Sequence, residues 1–419
     1  MALSGWAAKC PITINHKKLN ADVTNQPVLL VAANVPADVF ASANSDGSDI
    51  RFCDDSLGTT EYPRDIVKYD STNGILAIYV LLPAISSSTD TVFWMFWGNA
   101  AASEPGVGTS SQNTLVWNKW YGVLHFKDVT AGWKGVKDTS GRWNALTIIG
   151  TLPKTWPDGH AEGLTAFPES STLGMKMNEL VSFAGSTLDF MFWVNFNGTY
   201  TTGDIANGTN SIPLGWSSGG SFSQGWGGFT IPSGKIAATG WHHMVISDVA
   251  GVVTGYVDGV SVMTGGATAA GTNFGNLGLG TKTSPAFYMS EFRMTRGNTL
   301  TAGQIYCMYS NESAPASFCA HGTVQSNPVT YTLTLTGLKA NTEVRIYEAG
   351  TTTELTGIES TETNDSEFSY TYVYSANYKV DIVIHNLNYQ YIRYSNFTLG
   401  ANDNKIPIQQ IVDRDYYNP

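Results

Sequence analysis

Three short apolar segments joined by two tight turns constrain this chain more than any other feature. Met244-Val245-Ile246-Ser247 leads into Ala250-Gly251, and residues 252–257 return. Asp258-Gly259 then turns the chain again into residues 260–263. Asp-Gly is a preferred pair for a two-residue hairpin, because both central positions adopt the left-handed backbone region. The segments therefore read as consecutive strands of an antiparallel meander.

Composition extends that reading to the whole chain. Charged residues make up 14% of the 419 residues and hydrophobic residues 42%, with 43 glycines. The charged share lies well below the quarter or so of an average soluble domain. Ser, Thr and Asn fill polar positions where a helical protein would carry Lys and Glu. β-branched and aromatic residues suit pleated surfaces, while Gly and Asn suit tight turns. The expected fold class is all-β, with three β-sandwich domains.

The first domain is expected over residues 1–118. Ile12-Thr13-Ile14, Val28-Leu29-Leu30-Val31, Ile50-Arg51-Phe52 and residues 75–80 read as strands. Thr91-Val92-Phe93-Trp94-Met95-Phe96-Trp97 is apolar at nearly every position, as in a strand covered on both faces. Residues 99–112 read as a linker or long surface loop. The second domain is expected over residues 119–320. Residues 188–196 form an apolar strand, and residues 197–228 are Gly-rich and too irregular for regular structure. Residues 288–294 alternate as a strand, and Thr301-Ala302-Gly303-Gln304 is a capping box opening a short helix. The third domain is expected over residues 324–419. Short alternating strands at residues 330–336, 343–347, 369–374 and 379–384 suggest a small Ig-like or prealbumin-like sandwich.

Two ordered motif sets resemble known families. Phe192-Trp193-Val194, Trp241-His242-His243, Tyr256-Val257-Asp258-Gly259, Glu291-Phe292-Arg293 and a short helix after Leu300 resemble a laminin-G-like, concanavalin A-like domain. That resemblance implies a jelly roll for the central domain. Pro11-Ile12-Thr13-Ile14, Asn25-Gln26-Pro27-Val28-Leu29, Asp46-Gly47-Ser48-Asp49-Ile50-Arg51-Phe52 and Trp94-Met95-Phe96-Trp97-Gly98-Asn99 resemble a domain of unknown function. That domain often precedes laminin-G-like domains in bacterial and viral surface proteins. The ending, Ile406-Pro407-Ile408-Gln409-Gln410 with Val412-Asp413-Arg414-Asp415-Tyr416, resembles C-terminal modules of phage structural proteins.

Net charge is −11 and no Lys/Arg run stands out, so a phosphate-binding surface for nucleic acid is not expected. No apolar run reaches membrane-spanning length, and the first residues lack the pattern of a secretory signal. Cys10, Cys53, Cys307 and Cys319 form no CxxC pair, which argues against a zinc knuckle. They read as buried thiols, with two intradomain disulfides, Cys10/Cys53 and Cys307/Cys319, as the alternative.

Catalytic residues are not expected. Neighbouring residues of a strand face opposite sides, so His242 and His243 cannot readily share a metal. A glycosidase needs two carboxylates across the scissile bond, and Glu291 has no acidic neighbour in sequence. The candidate recognition site is the Gly-rich stretch carrying Trp216, Phe222 and Trp226 with Asp204 and Asn207. Its aromatic faces and hydroxyls suit sugar rings, although rings covering the sandwich's own edge are the plainer reading. Asp204, Asn207 and Asn210 are weak calcium candidates, and no other cofactor is expected. Sequons such as Asn311-Glu312-Ser313 read as chance products of an Asn/Ser/Thr-rich chain.

The reading is a non-enzymatic virion surface protein: a phage tail-fibre, head-fibre or capsid-decoration component, assembled in the host cytoplasm. Its expected partners are other virion proteins, itself as a homo-oligomer, and host-surface glycans. A bacterial glycan-binding adhesin is the alternative, and a glycosidase or depolymerase the remote one.

Overall fold

The computed structural model describes residues 3, 5–102, 112–127, 135–136, 138–142, 146–149, 158–169, 174–182, 187–196, 198, 203–206, 214–216, 221–224, 230–265, 273–277, 287–327, 330–355, 359–360, 366–373, 378–400 and 402–413. Backbone alone is described at residues 135–136, 146–149, 166–169, 174–182, 203–206, 214–216, 223–224, 273–277, 330 and 359–360. The fold is all-β. The chain divides into two compact units, one of Lys9–Gln325 and one of Leu3–Ala8 with Ser326–Pro419.

The first unit begins with β1 (Ala8–Ile14), β2 (Val23–Val31), β3 (Arg51–Cys53), β4 (Glu61–Tyr62), β5 (Arg64–Asp70), β6 (Ile75–Ile85) and β7 (Thr91–Trp97). Helix α1 (Asp38–Ser42) lies between β2 and β3, and α2 (Gln112–Val116) follows β7. Then come β8 (Trp120–Leu124), β9 (Gly135–Val136), β10 (Leu146–Ile149), β11 (Ala166–Glu169), β12 (Gly174–Ser182) and β13 (Leu188–Asn195). They are followed by β14 (Gly203–Ala206), β15 (Leu214–Trp216), β16 (Phe222–Gln224), β17 (Thr230–Ile231), β18 (His242–Val249), β19 (Val252–Val257), β20 (Val260–Thr264), β21 (Asn273–Leu277) and β22 (Phe287–Thr295). The unit closes with α3 (Ala302–Ser313), α4 (Pro315–Phe318), β23 (Cys319–His321) and the short β24 (Gln325–Ser326) at its border.

One sheet has the order β23-β1-β7-β3-β4, and a second joins β2-β6-β5. The largest sheet runs β11-β22-β13-β18-β19-β20, with β8 also on β22. The meander read from the sequence is β18-β19-β20. Ala250, Gly251, Asp258 and Gly259 all have positive φ, as two-residue hairpins require. At Gly259 a Cβ would lie 2.9 Å from the Tyr309 ring, so the turn needs glycine for space as well as for its backbone.

Three expectations change. The Gly-rich stretch from residue 197 is not without regular structure, since β14-β15-β16-β17 form a four-stranded antiparallel sheet there. Gly and Ser are poor strand formers, and the pattern hid strands whose pairing comes from neighbours rather than propensity. The boundary at residue 320 also moves: β23 pairs with β1, with Ile12 opposite His321 and Ile14 opposite Cys319. The end of the expected second domain therefore completes the first sheet. Finally, Leu29, Val31, Tyr79 and Leu81 share one buried cluster with Trp117, Trp120, Met191, Val245, Ile305 and Met308. The first two expected domains are thus one body with a common core. That explains the run Ile75-Leu76-Ala77-Ile78-Tyr79-Val80, which is covered on both faces.

The second unit contains β25 (Thr330–Thr336), β26 (Glu343–Glu348), β27 (Glu359–Ser360), β28 (Glu367–Val373), β29 (Lys379–Asn386), β30 (Tyr389–Thr398) and β31 (Asn404–Pro407). These form two sheets, β28-β25-β31 and β27-β26-β29-β30. Leu333, Leu335, Val344, Ile346, Phe368, Val380, Ile382 and Ile384 fill the core.

Candidate functional site

The Trp241-His242-His243 motif proves to be turn and core chemistry. His242 Nδ1 lies 2.8 Å from Asp258 Oδ2, and the His243 amide donates to Asp258 Oδ1 at 2.9 Å. One aspartate thus pins the hairpin turn to the strand before it. The His243 ring is fully buried beside Trp193 and Tyr309, and burial lowers its pKa to about 4. The two rings part company as strand alternation dictates.

The densest cluster of chemistry-bearing groups lies in the shared core of the first unit. Asp65 stands on β5 and Tyr79, opposite it in register, on β6. His125 follows β8, Glu291 and Arg293 stand two apart on β22, and Glu312 lies near the end of α3. All six side chains are essentially unexposed. His125 is held between two carboxylates, Nδ1 at 2.7 Å from Glu291 and Nε2 at 3.0 Å from Asp65. Arg293 donates to Glu291 at 2.7 Å, to Glu312 at 2.5 Å and to the Tyr79 hydroxyl at 2.5 Å. Its guanidinium also stacks over the Tyr79 and Trp117 rings, at 4.8 and 5.0 Å. Trp117 Nε1 donates to Asp65 and Trp193 Nε1 to Glu312, each at 2.7 Å.

The electrostatics follow from that packing. Burial alone would keep His125 neutral, but the Glu291 charge and the Asp65 contact outweigh it and push its pKa up to about 9. Burial would raise Asp65, yet its bonds to His125 and Trp117 and the nearby Lys127 bring it down to about 2. Glu312 is likewise held low against its burial by Arg293. The three carboxylates therefore stay ionised, balanced by His125, Arg293 and Lys127, the last at 3.9 Å from Asp65. Glu291 adopts φ +54°, in the left-handed region that non-glycine residues seldom occupy. It sits where the pairing of β13 with β22 slips register.

Sequence reasoning missed this cluster. Glu291 lacks an acidic neighbour in the chain, but Asp65 and Glu312 meet it through His125 and Arg293. The available signal was Glu291-Phe292-Arg293 itself: two charges on one face of a buried strand must find partners. Asn311, one of the formal sequons, is also buried. Its side chain accepts from the Leu29 amide at 2.7 Å and donates to the Leu29 carbonyl at 3.0 Å.

The candidate recognition residues fare unequally. Phe222 is fully buried, so its ring covers the sandwich and is not offered to a sugar. Trp216 pairs in register with Gly203 and Phe222, and Asp204 with Gly215, which places them on adjoining strands. Their side chains lie outside the described residues, as do Trp226, Asn207 and Asn210 entirely. All four cysteines are free and buried, and burial raises each thiol to about 12, so they behave as small apolar groups.

No protein-family model and no curated protein matches the sequence. Among solved structures, domain 4 of an extracellular arabinanase from Geobacillus stearothermophilus, in complex with arabinotriose, is 21% identical with TM-score 0.35, over 45% of this chain and 97% of that one. A sialidase from Trypanosoma rangeli in complex with sialic acid is 14% identical with TM-score 0.32, over 61% of this chain and 45% of that one. A botulinum neurotoxin type C structure, whose cell entry depends on two ganglioside molecules, is 13% identical with TM-score 0.32, over 68% of this chain and 79% of that one. At these scores the likeness assigns neither family nor activity.

Proposed function

We propose that this chain is a non-enzymatic surface protein that recognises glycans, carried on a virus particle as a tail-fibre, head-fibre or capsid-decoration component. The observation that supports the non-catalytic reading is the sealed state of Asp65, His125, Glu291, Arg293 and Glu312. A glycosidase holds its carboxylates apart across a groove that admits substrate. Here they bond to one another's cations in the core, where breaking a pair costs stability. The reading of glycan recognition rests on the sequence of the Gly-rich stretch, in which Trp216 and Trp226 stand among Gly and Ser, since aromatic faces beside hydroxyls suit sugar rings. The particle location rests on the resemblance of the C-terminal module and of the first two domains to surface proteins.

The experiment is a pair of measurements. Mass spectrometry of purified particles from the source of this chain should find it there, and its absence would remove the virion reading and favour a bacterial adhesin. A glycan array probed with the purified chain should give binding without loss of the printed sugars. A blank array would remove glycan recognition.

A further inference from the structure

The outer face of the sheet β27-β26-β29-β30 carries a cavity of about 210 Å³, lined by Glu343, Arg345, Tyr347, Val383, His385 and Tyr391. Alternation puts them there. Val344, Ile346, Ile382 and Ile384 face the core, so Glu343, Arg345 and Tyr347 on β26 face outward. Register then sets His385 opposite Glu343 and Val383 opposite Arg345. Tyr391, on the neighbouring strand, is 57% exposed and lies with its ring 6.4 Å from that of His385.

We propose that this face binds a single neutral sugar ring, a hexose or N-acetylhexosamine, stacked on Tyr391 over Val383. The proposal rests on the reading of the chain as a glycan-binding protein and places the site. Three observations carry it. The cavity is smaller than the roughly 300–1,000 Å³ of sites for drug-sized ligands, so it takes one ring. An exposed tyrosine beside an aliphatic floor offers an apolar face to the C–H side of a sugar, at little conformational cost. The rim carries fixed hydrogen-bonding groups, because Arg345 Nε donates to Glu343 at 2.6 Å and its Nη1 lies 3.5 Å from Glu354. Two carboxylates share that one guanidinium. Arg393, opposite Val383 on the same face, is likewise engaged by Asp381 at 3.0 Å, so among the described residues the rim's cations are already paired and an acidic sugar is disfavoured.

The test is saturation-transfer NMR on the full chain, with methyl glucoside, methyl galactoside, methyl mannoside, N-acetylglucosamine and sialyllactose as probes in the millimolar range. At least one neutral probe should receive saturation. Tyr391→Ala should weaken that probe about tenfold, Tyr391→Phe should keep it, and Glu343→Gln should weaken it. Unchanged unfolding temperatures would show that the variants fold. Neutral binding indifferent to Tyr391→Ala would overturn this site and leave glycan recognition standing. Binding of sialyllactose with the neutral probes silent would overturn the sugar class. Silence from every probe would overturn the site, and the glycan array then decides separately whether glycan recognition stands.

Discussion

Arg293 is the residue on which the first unit turns. It touches Glu291, Glu312 and Tyr79 at once, and so ties β22, α3 and β6 together. Removing one partner of a buried charge network leaves the rest uncompensated, typically at about 3–5 kcal/mol. Arg293→Leu should therefore lower stability by about that amount in chemical denaturation, and an effect of a few tenths would mean that the charges are solvated. His125 carries a pH signature. Its folded pKa, about 9, lies above the ordinary histidine value of 6.5. Its stabilisation is then complete below 6.5 and disappears as pH rises through 9. The unfolding-temperature gap between the natural chain and His125→Gln should be widest below pH 6.5 and shrink through pH 9. A gap that stayed constant would show that His125 is not charged in the fold.

At the scale of elements, the strands facing opposite ways were the most legible. β7 and β25 match in span the segments read from alternation and apolar content. Val92 is exposed, however, so β7 is not covered on both faces along its length. The Thr301 capping box is present with both of its bonds. Those signals are local: a period of two, a turn pair, a side chain capping its own helix. The sheet β14-β15-β16-β17 was not legible, because its strands are short and Gly-rich. The docking of α3 was equally hidden. Asn311 bonds both backbone groups of Leu29, far away in the chain, and Gln304 Nε2 donates to the Thr24 carbonyl at 3.0 Å. An Asn within a sequon reads as a surface residue until the strand it meets is known. Asn311→Ala should cost about 2 kcal/mol, since it leaves a buried amide and carbonyl of β2 without partners. Loss of less than half that in a denaturant titration would show that water replaces the side chain.

For the whole molecule, the sequence suggested three sandwiches and the contacts resolve two compact units. The reason lies in the pattern of burial. β6 is apolar along nearly its whole length because both of its faces are covered, one of them by the shared core with β13 and β18. Calorimetry should accordingly show one transition for the first two sandwiches together and a separate one for the third. Arg293→Leu should move only the former. Three transitions would contradict a common core.

The buried ionisable residues of this chain build its core, and the proposed function has its surface bind sugar without cleaving it. The most direct test is to incubate the purified chain with the glycan it binds best and assay for new reducing ends. Retained binding and an intact glycan over prolonged incubation are expected. New reducing ends that vanish with Glu291→Gln, in a variant that still folds, would contradict the proposed function.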